Sequence, residues 1–216
     1  MRCLFLLAFS ACVDTAETDE PIDEADVAKA DTAGAYRHYL LAIDPDHPDY
    51  RLLSRANGST LRCPETGEVA EHCSITEQDL QLTTHDALDV VIDELEDHPI
   101  IARGRMVRTT DGRIYLRASA LTRGITSVVP TGLCYRISAS GQLAKLDSSV
   151  VEKSQALEFD YVDPTPDFWG QPTPAVQAKI DAGLALAATR PVYTCGDMDR
   201  RDTGNLFWAQ QLFVPN

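Results

Sequence analysis

Two stretches of this 216-residue chain superimpose without a gap at an offset of 92: residues 99–121 and residues 191–213. Pro99 falls on Pro191, Gly104 on Gly196, Met106 on Met198, Arg108 on Arg200 and Gly112 on Gly204. Ile114-Tyr115-Leu116 lies over Leu206-Phe207-Trp208, and Leu121 over Phe213. A helix pattern precedes each stretch. Thr83 caps a run whose Leu88, Val91, Ile92 and Leu95 recur at helical spacing, with Asp89, Asp93 and Glu96 on the other face, until His98-Pro99 stops it. Thr173-Pro174 opens the second run, with proline at the first helical position, where its missing N–H costs nothing. Its stripe of Val176, Ile180, Leu184 and Ala187 ends at Arg190-Pro191.

Each helix runs into two strands. Ile100 to Thr109 turns at Asp111-Gly112 into Arg113 to Leu121, and Val192 to Met198 turns near Thr203-Gly204 into Asn205 to Val214. Upstream of the first helix the strands are Tyr36 to Ile43, then Tyr50 to Ala56 and Ser59 to Cys63 joined at Asn57-Gly58. Upstream of the second they are Gly132 to Ser138, Gln142 to Leu146 and Leu157 to Val162. Strands interrupted by single helices lack the alternation of a parallel doubly wound sheet. The pattern predicts an α+β fold of two tandem related repeats, residues 36–127 and 128–216, each made of antiparallel strands, one helix and a closing β-hairpin.

The first 35 residues have a different character. Arg2 followed by the apolar run Cys3 to Phe9 reads as a short secretory signal over residues 1–11. Phe9-Ser10-Ala11-Cys12 resembles a bacterial lipobox, which implies a signal cut before Cys12, acylation of that cysteine and a membrane partner through the lipid. Val13 rather than aspartate after it allows outer-membrane delivery, by resemblance to enteric lipoproteins. From Val13 to Ala35 there are eight acidic residues against Lys29 alone, and no aromatic residue. Such a stretch cannot bury enough apolar surface to offset its ordering entropy. Residues 12–35 are therefore expected to be a disordered tether that holds a body off the membrane.

Charge and cysteines narrow the class further. A formal charge of −14 lacks the positive footprint that nucleic acid requires, while 44% apolar residues suffice for a core. With Cys3 removed and Cys12 acylated, Cys63, Cys73, Cys134 and Cys195 remain, an even number in an exported chain. Their spacings of 10, 61 and 61 hold no close pair of the kind zinc sites use. Cys63 and Cys73 bracket the turn-rich Pro64-Glu65-Thr66-Gly67-Glu68, which a local bridge closes easily, and Cys134 to Cys195 follows by elimination.

The runs Leu61-Arg62-Cys63-Pro64-Glu65-Thr66-Gly67, Glu71-His72-Cys73-Ser74-Ile75 and Asp79-Leu80-Gln81-Leu82, followed after the helix by Ala102-Arg103-Gly104-Arg105-Met106, resemble an uncharacterised domain family. Its members are predicted exported lipoproteins of Gram-negative bacteria with no established activity, so the resemblance implies compartment and fold type and no chemistry.

No nucleophile elbow, zinc-protease helix, phosphate loop or dinucleotide fingerprint occurs, and the chain reads as a non-enzyme without cofactor, metal or catalytic residues. His38, His47, His72, His85 and His98 are scattered, and His47 and His98 each precede a proline. The carboxylate groups Asp44/Asp46/Asp49 and Asp197/Asp199/Asp202 lack the spacing of an EF-hand loop and read as solvated turns. The second half carries an extra proline-stiffened segment, 163–172, with Phe168 and Trp169 adjacent on it. Two aromatics on a stiff loop lose little entropy on binding, which makes them the candidate binding loop. The expected function is that of a lipid-anchored protein of the outer membrane or periplasm, a non-catalytic binding or structural module for another envelope protein or a cell-wall component. The alternative is a secreted hydrolase, or an inhibitor of hydrolases, whose site no motif marks.

Overall fold

Two long hairpins organise the chain, and both carry the same irregularity. In the computed structural model the first pairs β8 (Ile100–Arg108) with β9 (Ile114–Gly124), and the second pairs β14 (Val192–Arg201) with β15 (Gly204–Pro215). The register slips by one residue at Arg103/Gly104 in the first and at Cys195/Gly196 in the second, a β-bulge in each. Both bulges end on glycine because a Cβ at Gly104 would fall on the Arg117 carbonyl oxygen, and one at Gly196 on that of Trp208. The structure describes residues 20–21 and 36–215, apart from 45, 48–49, 65, 83–97, 111, 153–154, 160–161, 165–169 and 203. The first helix expected from the sequence, the anchor Cys12 and the acidic stretch other than Glu20–Pro21 lie outside the described residues.

Around these hairpins the remaining strands form one sheet. In chain order they are β1 (Glu20–Pro21), β2 (Arg37–Ile43), β3 (Arg51–Arg55), β6 (His72–Ile75), β7 (Leu80–Leu82), β10 (Leu133–Ile137), β11 (Leu143–Lys145), β12 (Val151–Glu152) and β13 (Gln155–Glu158). Their order across the sheet is β12-β11-β10-β14-β15-β9-β8-β2-β3-β6, antiparallel at every step. β4 (Leu61–Arg62), just before Cys63, pairs separately with β5 (Val69–Ala70), which lies inside the loop that the Cys63–Cys73 bridge closes. β7 runs parallel to the first part of β9 and β13 parallel to the first part of β15. Beyond those contacts β9 and β15 turn to each other, with Thr122, Arg123 and Gly124 opposite Pro215, Val214 and Phe213. β1 pairs with β8 at Val107 and Arg108, so the acidic segment touches the body at Glu20–Pro21.

This topology overturns the α+β expectation of two tandem repeats. About half of the described residues are strand, and among them a single α-helix, α1 (Pro174–Leu186), remains. The fold is β-rich. The far strand of each hairpin leaves its own half to pair with the other, so the backbone ladder runs across the boundary expected near residue 127. A second reading also changes. The Asn57-Gly58 step is not a hairpin turn, since β3 pairs with β2 and β6 while β4 pairs with β5.

Three apolar clusters fill the molecule. One lies under the first hairpin, with Leu41, Leu53, Ile75 and Leu116. A second packs α1, through Val176 and Ile180, against Tyr135, Val192, Phe207 and Leu212. The third joins Leu40, Ala56 and Ile101 from the first half to Cys134, Tyr193, Cys195 and Phe213 from the second, so the sheet curls until the β2–β3 end meets β10 and β14. α1 seats closely because Gly183 has no side chain: a Cβ there would stand 2.6 Å from Leu212 and 2.9 Å from Val214. The Cys134–Cys195 bridge links directly opposed residues of β10 and β14. Both bridges are the pairs the spacing indicated, and they belong to an oxidising, non-cytoplasmic compartment.

Asn57 fastens the curl. Its side-chain amide donates to the carbonyls of Cys134 (2.7 Å) and Leu146 (2.9 Å), and its oxygen accepts from the Cys134 N–H at 2.6 Å. The side chain thus completes the hydrogen bonding of the β10 backbone across 77 residues of chain. Asn57→Ala leaves the Cys134 N–H without this acceptor and is expected to destabilise the protein by about 2 to 3 kcal/mol in urea unfolding; a loss below about 0.5 kcal/mol would show that the contact does not hold the curl.

Candidate binding cleft

Where β9 ends, α1 crosses β15, and the chain entering β8 passes beside them, the surface is hollowed into two adjoining clefts of about 580 and 490 Å3. His98 and Lys179 line both. The larger is walled by Ile125, Ala182, Leu186 and Val214, with Arg123 at its side. The smaller continues past Thr126 and Ser127 to Asp163, Pro164 and Thr173.

Each polar group is placed by backbone structure. Arg123 is the residue of β9 that pairs with Val214, and its Nη2 lies 2.9 Å from Nδ1 of His98. A guanidinium only donates, so Nδ1 accepts and the ring proton sits on Nε2. Lys179, exposed on α1 one residue before buried Ile180, sends Nζ to the Ile125 carbonyl at 3.3 Å. An ammonium has three donors, so further bonds from Nζ remain to be made. Gln211 fixes the floor. Fully buried, it accepts from the N–H of Ile125 (3.1 Å) and donates to the carbonyls of Thr126 (2.9 Å) and Val128 (2.7 Å). Asp163 fixes the far end, accepting from the Thr173 N–H (3.0 Å) and Oγ1 (2.7 Å) at the start of α1.

The cleft does not coincide with the residues singled out from the sequence. Phe168 and Trp169 lie outside the described residues. The smaller cleft is nevertheless lined by Asp163 and Pro164, which lead into their loop, and by Thr173, which follows it. His98, read as a turn residue, is in the cleft. Arg123 and Lys179 carried no signal, since neither belongs to a motif and only the fold brings them within reach of His98. Asp44 is buried and turned inward, where its carboxylate accepts from Ser74 Oγ (2.5 Å) and from the N–H groups of Asp46 and His47. These bonds, the Ser74 one foremost, hold its pKa below the ordinary value against the opposing effect of burial. Among the described residues no group of three or more His, Cys, Asp or Glu is placed to hold a metal ion. A more polar cleft of about 730 Å3 lies beside the first disulfide loop, but its Asp79 and Arg113 are turned to each other at 3.5 Å and to Thr76 and Gln78.

A second constellation was equally silent in the sequence. Asp147, in a left-handed backbone conformation at φ 57°, accepts from both the N–H and Nδ1 of His38, at 2.9 and 2.8 Å. The His38 ring meets Tyr193 edge to face, with centroids 5.3 Å apart. This pair bolts β2 to the turn after β11 and lies outside the three clefts described above. No family model, no characterised protein and no solved structure matches the chain.

Burial pushes the Asp147 pKa up, but the His38 hydrogen bonds and charge, with Arg55 beyond, outweigh it and leave the value below the ordinary 3.8. A depressed carboxylate contributes stability that is fully present above the unfolded pKa and is lost as pH falls through the folded one. The difference in unfolding free energy between wild type and Asp147→Asn is therefore expected to shrink as pH falls below 3.8. A difference that grew below that pH would contradict the assignment.

Proposed function

We propose that this chain is a lipid-anchored, non-catalytic binding module of the cell envelope whose ligand occupies the cleft beside α1. The observation that carries the reading is that cleft: in a chain of net charge −14 it gathers Arg123, Lys179 and the Nε2–H of His98 around an apolar wall. Pockets of roughly 300 to 1,000 Å3 with an apolar lining and a few placed polar groups are the usual form of a small-ligand site. The address rests on the lipobox at Cys12, on the acidic residues after it, and on the two disulfides. None of the described helices is long and apolar enough to cross a membrane, so in this reading attachment falls to the acyl chains on Cys12.

A photo-crosslinking residue at Ala182, in the exposed wall of the cleft, tests the site in intact cells, with the same residue at Gln142 on the exposed β10–β11 turn as the control. The reading expects a discrete adduct from position 182 and none from 142. It also expects Cys12→Ser to release the protein from the membrane fraction. Equal adducts from both positions, or none from 182, would count against the cleft, and a membrane-bound Cys12→Ser protein would count against the anchor.

A further inference from the structure

We infer that Asn57 is a conformation-gated deamidation site: stable while the curl is closed, converted to aspartate or isoaspartate when the curl opens, and unable to fasten it again afterwards. The inference is independent of the cleft. Asn57-Gly58 favours this reaction because glycine carries no side chain to shield its nitrogen. That nitrogen attacks Cγ of Asn57, the new N–Cγ bond closes a cyclic imide, the Cγ–Nδ2 bond breaks, and ammonia leaves with the proton from Gly58. Solvent water then adds to either imide carbonyl and reopens the ring, leaving a carboxylate on an aspartyl or an isoaspartyl backbone. Gly58 is exposed and Asn57 half-buried, so water has access.

The closed structure blocks the first step. Attack requires the side chain to swing its carbonyl carbon onto the following nitrogen, and it cannot do so while its amide holds the carbonyls of Cys134 and Leu146 and its oxygen holds the Cys134 N–H. Two acceptors on Nδ2 and one donor on Oδ1 also fix which way the amide faces. Once formed, the product no longer fits. A carboxylate still accepts from the Cys134 N–H, but it has no hydrogen for the two carbonyls and turns its charge on their oxygens. The isoaspartyl form in addition lengthens the main chain by a methylene just after β3. The apolar cluster of Ile101, Cys134, Tyr193 and Phe213 then loses the side chain that fastens it. The bonds from His38 to Asp147, the residue after Leu146, cross the same junction, and so they govern how often Asn57 is released.

The test follows Asn57-Gly58 by peptide mass spectrometry in the full chain at mildly alkaline pH with both disulfides intact. The chain unfolded in guanidinium is expected to deamidate at least tenfold faster than the folded one. Asp147→Asn, which leaves Asn57-Gly58 itself untouched, is expected to deamidate at least threefold faster than folded wild type; if that variant does not fold, wild type in guanidinium just below its transition takes its place. Product chains, separated by ion exchange and returned to buffer, are expected to unfold at a lower guanidinium concentration than chains that keep the asparagine. Equal rates in the folded and unfolded chains would show that the three bonds do not gate the reaction. A loosened junction with the wild-type rate would show that its opening is not what releases Asn57, and product chains as stable as the original would show that the curl closes again. Any one of these results overturns the inference.

Discussion

Three backbone pairs between β9 and β15 make the two halves of this chain one molecule. Thr122, Arg123 and Gly124 face Pro215, Val214 and Phe213, and the ladder continues in the bond from the Ile125 N–H to the Leu212 carbonyl at 2.9 Å. The approach has a steric condition. Gly124 lacks a side chain where a Cβ would come within 3.0 Å of both Gln211 and Pro99. Gln211 is buried at this seam with its amide fully used, and a buried amide is tolerated only when it is paired. The apolar cluster of Ile101, Cys134, Tyr193 and Phe213 forms behind the seam, and the cleft opens in front of it, since Arg123, Ile125 and Val214 are seam residues themselves.

The hairpins were legible because they are local. Asp111-Gly112 and the alternation on either side mark β8 and β9 within three residues of their observed ends, and the offset of 92 carries the same reading to β14 and β15. The seam escaped for the same reason. It consists of Thr122-Arg123-Gly124, beyond the apolar pattern that ended at Leu121, and pairing with residues some ninety positions away leaves no periodic trace in so short a run. Asn57 is a similar case. Beside Gly58 it has the composition of a tight turn, yet its amide is spent on the β10 backbone. The disulfides were legible because ring size and an even count decide them. The α+β class failed through weighting: two helical patterns stood out, whereas strands of two or three residues such as β7 and β12 make little mark individually and together widen the sheet.

The extra segment after β13 borders the proposed cleft, since Asp163, Pro164 and Thr173 line its smaller part. What drew notice there was its aromatic pair, whereas the described groove is built from His98, Arg123 and Lys179, three cation-forming residue types unremarkable in sequence and 25 and 56 positions apart in turn. A functional site assembled on a seam has this property. Its residues share no element, so their chemistry emerges only when the strands that carry them are joined.

Hydrogen exchange under native conditions is the most direct test of the claim that the seam unites the chain. The amide of Ile125 donates across it, while those of Val107 and Met198 belong to the separate hairpins. If one cooperative sheet spans both halves, these three amides exchange with the same free energy, equal to that of global unfolding, and with the same dependence on denaturant. If Ile125 exchanges through a lower-energy opening while Val107 and Met198 keep distinct higher values, the halves are separable units, the seam is a surface contact, and a cleft built on it loses its foundation.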